Sequence, residues 1–160
     1  VDELGEVLVH GVAIKPGYPV ALGVVQETPI LMLPGNPVAC IVTAVQFLRP
    51  ALKRLGHLPD EPLPTRPATL ARKLPSEPGT RTFARVETSA GDAAAGSDDS
   101  NGDDGDDTDA PSLTATPVRT GGAGILSSVA LADGWVVVPE DREGYGEGET
   151  VTVENWEALP

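Results

Sequence analysis

Two apolar runs in the first forty residues stop at the same kind of turn. Ala13-Ile14-Lys15-Pro16-Gly17 closes one, and Leu33-Pro34-Gly35-Asn36-Pro37 closes the other. The second turn opens straight into a helix pattern, because Asn is favoured at the N-cap and Pro at the first helical position. Val38, Ile41, Val45, Leu48, Leu52 and Leu55 follow at helical spacing, widened by Ala44 and Ala51 into a broad apolar stripe. Strand ends and a helix start meeting at one rim are where an open α/β sheet binds ligands. Lys15 would point an ammonium into that crevice as a point charge. Gly35 would let a ligand approach the backbone, and the helix start would offer unpaired N–H groups to an anion.

Around this pair the chain divides. Residues 6–14 read as a strand that is apolar on both faces, the pattern of a strand covered on both sides. Residues 19–25 and 30–33 read as two more strands, spaced for a hairpin. Pro50 falls inside the helical run, where it must kink the helix or start a second one, and Gly56 marks a stop. Pro59, Pro62, Pro64 and Pro67 then make a stiff linker over 59–67, separating an α/β part (1–58) from a second domain (68–160). That domain carries short strand patterns at 68–74, 80–88, 112–118, 134–139 and 149–155, which predict a small β-barrel or sandwich. Residues 90–110 are mostly Gly, Ala, Ser and Asp with little apolar surface to offset ordering, so a disordered insertion is expected there.

Charge narrows the function classes. The net charge is −13, from 24 acidic against 11 basic residues. Eight of the acids are the aspartates between Asp92 and Asp109. No basic stripe exists to neutralise phosphates along a nucleic acid. The only lysines are Lys15, Lys53 and Lys73, a balance that suits a salt-rich, halophilic cytoplasm. The single cysteine, Cys40, leaves no internal disulfide and no cysteine metal cluster. No apolar run is long enough to cross a bilayer and no secretory signal pattern opens the chain, so a cytoplasmic protein with no membrane or nucleic-acid partner is expected. The chain begins at Val1, and Asp2-Glu3-Leu4-Gly5 looks like a helix end closed by glycine, so it reads as a C-terminal fragment.

In the second domain Arg81, Phe83 and Arg85 fall on one strand face. Two arginines so placed can grip an oxyanion, or can simply offset nearby acids at the surface. Gly124-Ile125-Leu126-Ser127-Ser128 could turn hydroxyls toward a ligand or use them in local capping.

Taken together these residues resemble the MoeA family of molybdopterin molybdenumtransferases, to which the gephyrin E domain is related. Residues 13–19 resemble the family's AIKPGKP motif, residues 33–39 its LPGNPVS motif, residues 81–86 its RxxFxRV strand and residues 124–138 its GILSSLxxADGxxVxP segment. The resemblance implies the C-terminal part of a three-layer α/β molybdopterin-binding domain followed by a small all-β barrel. It implies insertion of molybdate into adenylylated molybdopterin with release of AMP, aided by magnesium whose ligands lie upstream, in a homodimer. By the same resemblance Lys15 is the catalytic residue, contacting molybdate or the anionic substrate. Pro16, Gly17, Pro34, Gly35, Asn36 and Pro37 line the substrate pocket, and Arg85 and Ser127 reach it from the barrel. No residue of this chain is implied as a metal ligand. Two positions depart from the pattern: Tyr18 stands where a second lysine is usual, and Ala39 replaces a serine. The family's glycine-rich loop and the aspartate after it are absent, so the fragment alone should not turn over. A non-catalytic molybdopterin-binding or dimerisation module is the alternative, and a generic sugar- or nucleotide-phosphate binder a third.

Overall fold

The computed structural model describes residues 3–91, 113–118 and 130–157. Its first strand, β1 (Glu6–His10), pairs antiparallel with β3 (Ala21–Val25), which pairs with β4 (Thr28–Met32). A bulge between Val7 and Val9 breaks the alternation of β1, which is why the sequence pattern there is weak. The expected strand over 6–14, covered on both sides, is not what forms. β1 ends at His10, and Leu8 and Val9 remain 57% and 39% exposed.

Ile14 and Lys15 form instead a separate short strand, β2, which pairs in parallel with β7 (Arg81–Ala90) of the second half of the chain. Ile14 faces Arg81 and Lys15 faces Thr82 in this register. The Lys-Pro-Gly turn is therefore bonded to the barrel. The β3–β4 hairpin forms as the spacing suggested, around a two-residue turn at Gln26 and Glu27 with both φ angles positive.

Helix α1 (Pro37–Thr43) starts at Asn36, whose Oδ1 accepts from the Val38 and Ala39 N–H groups at 3.1 and 3.4 Å. The helix does not stop at Pro50. It widens into a π segment over Ala44–Leu48, with the Arg49 N–H donating to Ala44, five residues back, and continues as α2 (Arg49–Leu55). Pro50 has no N–H to give and crowds the turn before it, and one wide turn accommodates both effects. The helix stops where expected, at Leu55 with Gly56 as its C-cap. His57, not Gly56, takes the left-handed conformation (φ 52°). Leu58 N–H then reaches Lys53 O at 2.8 Å and His57 N–H reaches Arg54 O at 3.3 Å, the paired bonds of a Schellman motif.

The remaining strands are β5 (Thr65–Leu70), β6 (Leu74–Pro75), β8 (Leu113–Pro117), β9 (Gly134–Val138), β10 (Gly144–Tyr145) and β11 (Thr150–Glu154). Neighbours run β7–β8–β5–β11–β9, and β9 pairs back onto β7, so five strands close into a barrel. Closure removes open sheet edges. β5 begins at Thr65, inside the proline-rich stretch predicted as linker. Leu70, Val86, Ala115, Val136, Val138, Val151 and Val153 fill one core of this half.

A second core joins the two halves. Ile14 and Val42 pack with Phe83 and Trp135 of the barrel wall, with Val12, Ile41 and Val45 beside them. Trp135 stands edge-on to Phe83 at 5.4 Å and stacks on Trp156 at 4.7 Å, while its Nε1 donates to Glu154 Oε2 at 2.7 Å. Most of the acidic insertion at 90–110 and the segment containing Ser127 lie outside the described residues.

Candidate functional site

The β2–β7 pairing decides which side chains can meet. It places the Lys15-Pro16 turn beside the strand that carries Arg85, with the start of α1 close by. The three border one open cleft of about 610 Å³, lined by Lys15, Pro16 and Asn36 from the first half and by Arg85 from the barrel. This volume is in the range of small-molecule and cofactor sites. Thr82 and Phe83 contribute from the same strand. The barrel adds Lys73, Ser76 and Glu77 from the segment around β6, three residues that carried no signal in the sequence. Only pairing of distant strands brings them to the site.

Lys15 is exposed, and its Nζ lies 2.9 Å from Glu77 Oε1, bridging 62 residues of sequence. The Lys15–Pro16 peptide is cis. Arg85 is half-buried, and that burial pushes its guanidinium below the usual arginine range, because desolvation disfavours the charged form. Its backbone carbonyl accepts from Val118 N–H at 2.9 Å, tying the end of β8 to the cleft wall. Ser76 and Thr82 hydroxyls are 2.7 Å apart. Arg81 does not join Arg85. Its Nε is paired with Glu140 Oε2 at 3.0 Å, and it does not border the cleft.

Other expected site residues fall elsewhere. Gly17 is buried with φ at 130°, and a Cβ there would come within 2.8 Å of Ile14 Cδ1 and Thr43 Cγ2. Its role in the structure is to let the turn pack on α1. Pro34, Gly35 and Pro37 do not border this cleft, although the space before Gly35 is open. The expectation of free N–H groups at the helix start is corrected. Pro37 has none, Val38 and Ala39 are capped by Asn36 Oδ1, and Cys40 N–H bonds Asn36 O at 2.8 Å. Ser127 lies outside the described residues. Among the described residues no group of three His, Cys, Asp or Glu side chains is placed to hold a metal ion. Among the described residues the one carboxylate on the cleft wall, Glu77, already faces Lys15, so these residues do not fit a magnesium site.

A cleft whose described lining has three cationic side chains and one carboxylate, in a chain of net charge −13, is suited to an anionic ligand. Comparison with known proteins points the same way. Residues 1–54 match the family described as "Probable molybdopterin binding domain", and residues 106–156 match the family described as "MoeA C-terminal region (domain IV)". A Methanocaldococcus jannaschii protein named for molybdopterin biosynthesis is 34% identical over 96% of this chain and 31% of its own. A Mycobacterium tuberculosis protein named molybdopterin molybdenumtransferase 2 is 46% identical over 47% of this chain and 18% of its own. The crystal structure of a molybdopterin biosynthesis MoeA protein from Pyrococcus horikoshii superposes with a TM-score of 0.70 and 31% identity, covering 99% of this chain and 34% of that one. The chain thus spans about a third of the length of the relatives that it matches from end to end.

Proposed function

The chain belongs to the MoeA family of molybdopterin biosynthesis proteins, and from that premise we propose that it supplies one wall of a molybdenum-insertion site. Its place is in molybdenum cofactor biosynthesis, as part of a molybdopterin molybdenumtransferase. The substrates are adenylylated molybdopterin and molybdate, and the products are the metal-loaded cofactor and AMP. The observation that carries this reading is the convergence of Lys15 and Arg85, 70 residues apart in sequence, on one cleft between the two halves of the chain.

Both substrates are oxyanions or carry them, and their charge must be held where the phosphoanhydride breaks. Lysine and arginine aimed at that point stabilise developing negative charge better than water does, because they are already oriented. Arg85 is the better placed for this, since partial burial strengthens its field. Lys15 is more exposed and held by Glu77. An exposed pair of this kind is worth at most about 1 kcal/mol, so an incoming dianion displaces Glu77 easily. Asn36 spends Oδ1 on the helix cap and keeps Nδ2 as the donor it can present to a ligand.

The rest of the site, including the carboxylates for magnesium, belongs in this reading to sequence beyond the 160 residues, within a homodimeric cytoplasmic enzyme. The test is direct. The full-length protein, given adenylylated molybdopterin, molybdate and magnesium, should release AMP and yield molybdenum cofactor in equal amounts. Tight binding of adenylylated molybdopterin without AMP release would instead support the non-catalytic binding module.

A further inference from the structure

We propose that Lys73 is a further ligand-binding residue of this cleft, the barrel's own cation for an anionic group of the substrate. The inference rests on the cleft being an anion site, and it deepens the reading above.

The chain holds three lysines against 24 acids. Lys53 has a local reason to exist, since it sits with Arg54 in the last turn of α2, where a cation meets the negative end of the helix. Lys73 has no such reason. It follows β5 in an exposed turn, and among the described residues it takes part in no salt bridge. Arg72 beside it is engaged, donating to Pro117 O at 3.4 Å. Yet Lys73 borders the same cleft as Lys15 and Arg85. Two of three lysines in a strongly acidic chain thus converge on one concave surface. Against them, among the described residues, stands Glu77, so that lining carries a net charge of about +2 where the molecule as a whole is negative.

Position 18 strengthens the assignment. Where the resembled motif has a second lysine, this chain has Tyr18. The phenol ring is 66% exposed and covers Gly11, where an added Cβ would meet it at 3.2 Å. Tyr18 does not border the cleft. The second lysine that does border the cleft is Lys73, on the barrel side. Glu77 pairs with Lys15, whereas Lys73 has no salt bridge among the described residues, so an anion reaching Lys73 displaces none of their carboxylates.

Inorganic pyrophosphate, titrated into the full-length protein without divalent metal, tests this. Lys73→Ala should weaken its binding about five- to tenfold, the loss of one charge-assisted contact in a partly solvated site. Lys73→Arg should stay within about threefold of wild type, and Lys53→Ala should bind as wild type does. Lys73 is exposed, so its variants should keep the wild-type melting temperature. In turnover, Lys73→Ala should raise KM with little change in kcat. Equal pyrophosphate affinity in wild type and Lys73→Ala overturns the inference, and so does a wild type that binds no pyrophosphate. Lys73-dependent pyrophosphate binding in a protein that ignores adenylylated molybdopterin would uphold the inference and refute the proposed substrate.

Discussion

At the scale of single residues, the site separates groups that touch the cleft from groups that shape it. Gly17 shapes it. Gly17→Ala places a methyl against Ile14 and Thr43 in a conformation that L-residues rarely adopt. The cost should be about 2–3 kcal/mol, from strain and overpacking together, seen as a lower denaturation midpoint. Asn36→Ala removes an N-cap and should cost about 1 kcal/mol, with a further loss of ligand affinity if Nδ2 faces the substrate. Glu140 gives a pH signature outside the site. Its own backbone amide, and then Arg81, hold its carboxylate below the usual range. A lowered folded-state value means that the contribution exists above the ordinary carboxylate range and is lost as pH falls through the folded value. Glu140→Gln should therefore be less stable than wild type near neutral pH, and urea midpoints for the two should converge on acidification. Lys15, Asn36 and Arg85, which border one cleft, each sit in a distinctive local pattern of the sequence. Lys73, Ser76 and Glu77 were not legible there, since their place depends on barrel closure, which no local pattern encodes.

At the scale of elements, the sequence marked the hairpin, the helix start and its stop at Gly56 well, and the middle of the helix poorly. Asn36-Pro37 is a local signal and acts locally. The continuation through Pro50 depends on a π turn that a periodicity of 3.6 does not anticipate. After the Gly56 C-cap the chain turns away at His57, because the paired bonds to Lys53 and Arg54 need a left-handed residue there. His57→Gly should then stabilise the protein by about 0.5–1 kcal/mol, measured by chemical denaturation. Trp135 is the opposite case. It stands 1% exposed in the barrel wall, packed with Ile14, Val42 and Phe83. Trp135→Ala should cost about 3–5 kcal/mol and loosen the barrel and the helix together. β2 was hidden in the sequence because Ile14-Lys15 continues an apolar run. Only its pairing with β7 shows that the run serves two sheets.

For the molecule as a whole, the two parts meet at a seam between the α/β part and the barrel. The β2–β7 pairing and the shared core of Ile14, Val42, Phe83 and Trp135 hold that seam, and the cleft lies along it. Residues 1–58 alone would lose this core and expose it, in addition to the apolar surface already open on β1. That piece should show no cooperative unfolding transition in isolation, and a sharp transition would contradict the account. Among the described residues no helix is long and apolar enough to cross a membrane. The central claim is that Lys15 and Arg85 act on one substrate from opposite sides of the seam. It is tested most directly by the AMP-release kinetics of full-length Lys15→Ala, Arg85→Ala and the double variant. The account predicts a loss of kcat/KM of about a hundredfold for each single variant, a double variant less impaired than the product of the two, and unchanged melting temperatures. Single variants within twofold of wild type would contradict it.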